Sequence, residues 1–175
     1  MKKIVKTKIQ FNNFQKSNYK IGLGYDIHRL VKGRKLFLGG VKIAHGKGLD
    51  GHSDADVVLH AICDALLGAL GKGDIGEHFP NTDPKYKGIP SLILLEKVNK
   101  IVQDDGFSIG NIDTMILAEE PNLKAYKSKM QGAIAKTLGI DPSSVNIKAT
   151  TQEGIGFGST HDAIAAYATV LLVKC

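Results

Sequence analysis

A chain of 175 residues is long enough to close one hydrophobic core without disulfide staples, and its two cysteines, Cys63 and Cys175, read as free thiols of a reducing compartment rather than the frame of a secreted module. The net charge of +6 would suit nucleic acid, yet six lysines and no acid fall within residues 1–20, which leaves 17 basic against 17 acidic side chains elsewhere and makes no nucleic-acid partner the expectation. No apolar run reaches the roughly 20 residues of a membrane span, since the longest, at 163–173, is interrupted by Tyr167 and Thr169, so a soluble chain with no membrane partner is expected.

Residues 1–19 read as a basic, flexible extension or an added strand, with an organelle address as the lesser alternative, and 20–175 as a single domain. A short strand is expected at 21–25, a polar loop at 29–34, and a hairpin at 35–43 around Gly39-Gly40. Ser53 followed by Asp56 matches a capping box, and Val58, Ile62, Ala65, Leu66 and Ala69 then recur at helical spacing to about Leu70. Residues 71–90, rich in Gly, Pro, Asn and Asp, read as a long loop of the kind that carries function. Beyond it come a helix at 91–103, a strand at 108–117, a helix at 122–138 closed by Gly139, and strands at 145–149 and 165–173. Interleaved helices and strands without repeats indicate one α/β or α+β domain.

Side chains alternate across a strand, so Asp26 and His28 in Gly24-Tyr25-Asp26-Ile27-His28 point the same way and can grip one ion. His60 can supply a third ligand, and a carboxylate with two imidazoles suits Zn2+ with its fourth position open. Along the first helix Asp56, His60 and Asp64 form one stripe, in which either carboxylate could hold the imidazole's second nitrogen or simply cap and solvate. His52 and Ser53 stand at that helix's N-terminus, where N–H groups and the dipole favour phosphate, with plain capping by Ser53 as the alternative. Thr150, Thr151, Gln152 and Glu153 leave a strand end, where hydroxyls and a carboxylate suit phosphate oxygens and a hard divalent ion, or form a solvated turn.

These motifs occur in a fixed order: G-x-G-x-D-x-H at 22–28, G-R-x-L-x-L-G-G-V at 33–41, G-H-S-D-A-D-V-x-x-H-A at 51–61, D-A-L-L-G-A at 64–69, G-D-I-G-x-H-F-P-x-T-D-P at 73–84 and K-A-T-T-x-E at 148–153. Taken together they resemble the 2-C-methyl-D-erythritol 2,4-cyclodiphosphate synthase family over 20–174. The resemblance implies a mixed β-sheet packed on one side by helices, a homotrimer with active sites between subunits, and a phosphorus–oxygen lyase of non-mevalonate isoprenoid synthesis. Its cytidine diphosphate substrate would close on itself and release CMP. By position, Asp26, His28 and His60 would hold Zn2+; Glu153 would help hold Mg2+ or Mn2+ across the diphosphate; and His52 and Thr151 would stabilise the crowded phosphorus. Asp26, Ile27, His28, Ser53, Asp74, Ile75 and Gly76 would position the methylerythritol phosphate, with Phe79, Pro80, Asn81, Thr82 and Asp83 closing beside it. Cytosine would be read by Ala118, Pro121, Asn122, Leu123 and Lys124 of a neighbouring subunit, and Thr150, Thr151, Gln152, Glu153 and Phe157 would complete the site. After Phe157 the family pattern carries an arginine associated with isoprenoid diphosphate binding on the trimer axis, where this chain has Thr160. The expected compartment is a bacterial cytoplasm, or alternatively a plastid stroma. The competing readings are a two-ion hydrolase of nucleotide diphosphates and a non-catalytic, metal-stabilised trimer.

Overall fold

The computed structural model describes residues 17–155 and 162–175. Nearly all of the basic N-terminal stretch, and the segment with Phe157 and Thr160, lie outside the described residues.

Strand β1 (Tyr19–Lys32) is far longer than the expected strand and absorbs most of the expected loop after it. It runs antiparallel to β7 (Ala163–Lys174) from Tyr19 opposite Val173 to Arg29 opposite Ala163, and its end then pairs with β4 (Lys47–Leu49). Partner strands on both edges, rather than side-chain polarity, set where it stops. A two-stranded hairpin, β2 (Leu36–Leu38) and β3 (Val41–Ile43), turns at Gly39-Gly40, where φ is +57° and +77°, conformations open to glycine. The main sheet has the order β4-β1-β7-β5-β6, and its one parallel pair joins β5 (Phe107–Leu117) to β6 (Val145–Thr150) through helix α4 (Lys127–Leu138).

Helix α1 (Val57–Leu70) lies on β1 and β7, and α3 (Ser91–Asp104) lies on α1 and α4. Eleven of the 14 residues of α1 are buried, so it is the hub of the core rather than a helix with one wet face. It comes so close to β1 because Gly22 and Gly24 have no side chain; a Cβ there would sit 1.8 Å from Ala65 O or 1.9 Å from Ala61 O. The even-numbered residues of β1 therefore face the helix, first as bare backbone and then as Asp26 and His28. The odd-numbered face carries Tyr19, Ile21, Leu23, Tyr25 and Ile27, all exposed, with Tyr167 of β7 beside them. This is the mixed α/β architecture expected, with helices on one face and an open apolar face on the other.

Three local expectations are corrected. Ser53 does not cap α1: Ala55 turns left-handed at φ +58°, the helix starts only after it, and Asp56 is the cap, accepting Val58 N and Leu59 N while Ser53 Oγ accepts Ala55 N–H. Helix α4 begins at Lys127, because Asn122 first folds a turn by accepting Lys124 N–H. The expected loop at 71–90 contains a short helix, α2 (Ile75–His78), and a 3-10 turn at Pro84–Tyr86.

Asp56 joins two elements. Besides capping α1, its carboxylate oxygens accept Gly39 N and Gly40 N at 2.8 and 2.7 Å, tying the hairpin to the helix. Burial pushes its carboxyl up to about 6, against the pull of those backbone donors. Asp56→Ala strands two buried N–H groups and removes a cap, so it is expected to cost about 3 kcal/mol, read as a lower urea midpoint with unchanged slope.

Candidate metal and substrate site

Asp26 Oδ2 stands 3.1 Å from His28 Nε2 and 2.8 Å from His60 Nδ1, and the three ligand atoms lie within 4.8 Å of one another. The edge of a tetrahedron with metal–ligand bonds of about 2.0–2.1 Å is roughly 3.4 Å, close to both spacings. The donors also suit zinc chemically, one hard anionic oxygen and two imidazoles, each half-buried at the join of β1 and α1. Gly51 leaves room for the imidazole of His28: a Cβ there would lie 2.9 Å from His28 Cε1.

Burial pushes the Asp26 carboxyl up, but the imidazoles of His28 and His60 set against its Oδ2 outweigh it and hold the group well below the usual carboxylate range. Burial pulls His28 down, while its hydrogen bond to Asp26 and the carboxylate's charge raise it above 6.5 on balance. The charged His28–Asp26 pair thus stabilises the metal-free fold fully below the unfolded value of 6.5, and this contribution is lost as pH rises through the higher folded value. A zinc ion would need the bare nitrogen, so its loading would strengthen over the same rise. Urea melts of chelator-treated protein are expected to lose stability as pH climbs above 6.5 while zinc affinity grows, and His28→Gln should flatten both slopes. A melt midpoint that rises with pH would contradict the ion pair.

The cluster forms part of the wall of a cavity of about 550 Å3, shared with His52, Ser53, Ile75, Gly76, Phe79, Pro80, Asn81 and Thr82. Tyr86, Ile89 and Leu94 also line it, and Phe79 meets Tyr86 edge to face at 5.3 Å. Asp74 acts one step back: it caps α2 by accepting Glu77 N–H, while Asp64 Oδ1 accepts Ile75 N–H at 2.8 Å. The last two residues of the α1 acidic stripe thus part company, with Asp64 anchoring α2 and neither it nor Asp56 bonded to the His60 ring. Asp83 caps the 3-10 turn and pairs with Lys85 at 2.6 Å. The expected phosphate site on the N-terminus of α1 is altered too, because Asp56 already occupies Val58 N and Leu59 N.

A second hollow of about 420 Å3, sharing no residue with the first, is lined by Ala118, Glu119, Pro121, Asn122, Leu123, Lys124, Lys127, Ala149, Thr150 and Thr151. Glu119 Oε1 accepts Gln152 N–H at 2.6 Å, and Thr151 Oγ1 donates to Glu153 Oε1 at 2.6 Å. Glu153 is left-handed, at φ +51°, uncommon for a residue with a Cβ. Within the one chain, then, the described residues of the expected site separate into a half around the Asp26, His28 and His60 cluster and a half made of β5, β6 and their following loops.

A family model described as the YgbB family matches residues 19–173, which is nearly all of the chain. The chain belongs to the YgbB family. Among its relatives, the 2-C-methyl-D-erythritol 2,4-cyclodiphosphate synthase of Synechococcus elongatus is 54% identical over 158 residues, covering 90% of this chain and 99% of the relative. That of Bacteroides thetaiotaomicron is 52% identical over 155 residues, covering 89% and 98%. The solved structure of the Plasmodium falciparum protein of this type in complex with CDP superposes with a TM-score of 0.78 at 34% identity, over 89% of this chain and 96% of that one. The bifunctional IspDF of Campylobacter jejuni superposes with a TM-score of 0.86 at 42% identity over 90% of this chain, which spans only 42% of that longer protein.

Two groups that the fold brings to the site have no role legible in the YgbB motifs. Asp54 and Ser91 lie 37 residues apart yet bond to each other beside His60, and Glu119 holds the Gln152 turn. The only signal for Ser91 was its place as first residue of an expected helix, which says nothing of what faces it.

Proposed function

We infer that this YgbB protein converts 4-diphosphocytidyl-2-C-methyl-D-erythritol 2-phosphate to 2-C-methyl-D-erythritol 2,4-cyclodiphosphate and CMP, a phosphorus–oxygen lyase step of non-mevalonate isoprenoid synthesis. The observation that carries the reading is the convergence of Asp26, His28 and His60 in the wall of a cavity that also presents His52 and Ser53. An oxygen of the substrate's 2-phosphate attacks the β-phosphorus, the bond from that phosphorus to the oxygen bridging the α-phosphate breaks, and CMP leaves with the electron pair. The attacking oxygen is already anionic, so no general base is needed.

Zn2+ held by Asp26, His28 and His60 would supply the Lewis acid that polarises a β-phosphoryl oxygen. The chain's own residues do the rest by placement and local charge. His52 and Ser53 present a ring N–H and a hydroxyl to phosphate oxygens, and Asp26, His28 and the α2 start at Asp74, Ile75 and Gly76 seat the methylerythritol phosphate, whereas the expected Ile27 faces the other side of the sheet. Phe79, Pro80, Asn81, Thr82 and Asp83 form the side that keeps water from competing with the 2-phosphate. Thr151 and Glu153, joined by their hydrogen bond, act as one unit on the diphosphate, with the carboxylate a hard oxygen donor for Mg2+ or Mn2+.

The second hollow takes the cytidine end, with Ala118, Pro121, Asn122, Leu123 and Lys124 around the base and Thr150 and Gln152 beside it. Two hollows with no shared lining residue support a site completed by a neighbouring subunit. The exposed Tyr19, Ile21, Leu23, Tyr25 and Ile27 of one sheet face supply an apolar surface for a homotrimer. Among the described residues no helix is long and apolar enough to cross a membrane, and the free Cys63 and Cys175 fit a reducing compartment such as the cytoplasm.

The test is to incubate the protein with substrate, Zn2+ and Mg2+ and follow phosphorus NMR beside a chelated control. Metal-dependent CMP with equimolar cyclic diphosphate is expected. CMP with an open-chain bisphosphate would instead make the protein a hydrolase, and no turnover by folded, metal-loaded protein would make it a binding module.

A further inference from the structure

The two ring nitrogens of His60 face different surroundings. Nδ1 lies 2.8 Å from Asp26 Oδ2 in the metal cluster, whereas Nε2 points into a polar pocket, 3.0 Å from Ser91 Oγ and 3.1 Å from Ser53 Oγ. Beyond Ser91 stands Asp54. Its Oδ1 is 2.5 Å from Ser91 Oγ, and its two oxygens accept Ser91 N–H at 3.2 and 3.1 Å. Ser91 is fully buried and Ser53 nearly so. The segments carrying these residues are joined by backbone bonds, Gly88 N to His52 O at 2.8 Å and Asp54 N to Ile89 O at 3.2 Å. The arrangement is therefore built into the fold rather than a chance meeting of surface side chains.

Counting protons fixes the direction of the chain of bonds. A carboxylate only accepts, so the single hydroxyl proton of Ser91 goes to Asp54, leaving Ser91 Oγ only lone pairs to offer His60. Ser53 Oγ already accepts Ala55 N–H at 3.0 Å and can accept again. Nε2 is therefore the donor, and in a neutral imidazole the lone pair then sits on Nδ1, aimed at Asp26 Oδ2. Two acceptors 2.8 Å apart repel unless a cation stands between them.

We propose that Asp54 and Ser91 are positioning residues that keep the proton of His60 on Nε2 and so present the Nδ1 lone pair to the Zn2+ shared with Asp26 and His28. Neither residue lines the cavity, and both act through His60. The proposal rests on the zinc reading of the Asp26, His28 and His60 cluster.

Two measurements on the full chain test it: zinc affinity by chelator competition, and the exchange of the His60 Nε2–H proton in spectra of protein with nitrogen-labelled histidine. The unsubstituted protein is expected to bind zinc and to show a slowly exchanging Nε2–H. Ser91→Ala should weaken zinc binding by about 10- to 100-fold and lose that resonance. Asp54→Asn, which can turn a donor toward Ser91 in place of an acceptor, should shift both readouts the same way. Ser91→Thr keeps the hydroxyl and should restore affinity and resonance. Retained affinity with a protected Nε2–H in both Ser91→Ala and Asp54→Asn would overturn the relay. Failure of the unsubstituted protein to bind zinc would instead overturn the metal reading, before any variant is compared.

Discussion

Asp26→Ala is expected to lower cyclisation by about 10^3-fold or more. Asp26 is the one anionic member of the cluster and touches both imidazoles, at 3.1 and 2.8 Å, so its loss removes a ligand and the charge that holds His28 in place. A Lewis acid at a phosphoryl oxygen is worth several kcal/mol of transition-state stabilisation, and each 1.36 kcal/mol is about tenfold in rate. The measurement is single-turnover CMP release, with bound zinc quantified on the same samples. Rates within tenfold of the parent in protein that has lost its zinc would show that the chemistry does not use the metal. Loss of zinc together with loss of rate, in protein that still melts cooperatively, is the expected pattern.

Gly24→Ala is expected to cost about 3 kcal/mol or more of stability. The added Cβ would lie 1.9 Å from Ala61 O and 2.7 Å from Ala65 N, against an ordinary contact of at least 3.4 Å. The obstacle is helix backbone, which has no rotamer to change, and α1 is too deeply buried to back away without opening the core. Gly33→Ala is the matched control: its φ of +83° strains a side chain, yet nothing lies within 4 Å, so only the backbone term of about 1–2 kcal/mol applies. Equal losses in urea melts of the two variants would remove the close-approach explanation. Because His60 directly precedes Ala61, any movement of α1 that admits the methyl also shifts Nδ1 from Asp26. Zinc affinity should fall along with stability in Gly24→Ala and stay unchanged in Gly33→Ala.

The same contrast explains which elements were legible in the sequence. Helix α1 was readable because apolar residues recur at 3.6 spacing and Gly71 closes it, and α3 because its buried Leu95, Val98 and Val102 share one face. The full length of strand β1 is not legible because its outward residues at odd positions 19–27 are apolar while its inward positions include Gly, Asp and His, an inversion of the usual alternation. The start of α1 is not legible because no propensity predicts a left-handed, fully buried Ala55. Helix α4 began late because the side chain of Asn122 competes with the helical backbone for Lys124 N–H.

By itself, the sequence determined the family, the α/β class and the three residues of the candidate metal cluster, since Asp26 and His28 share a face by strand geometry and His60 is placed by one long, well-patterned helix. The tertiary structure alone decided which carboxylate serves which purpose. Asp56 and Asp64 sit at helical spacing from His60, yet they hold the hairpin and α2, while Asp54 reaches His60 through a serine 37 residues away. It alone also set many of the other expected site residues against two separate hollows. The physical reason is that local periodicity fixes only the direction in which a side chain leaves its own element, whereas the partner it meets is set by contacts between elements distant in the chain.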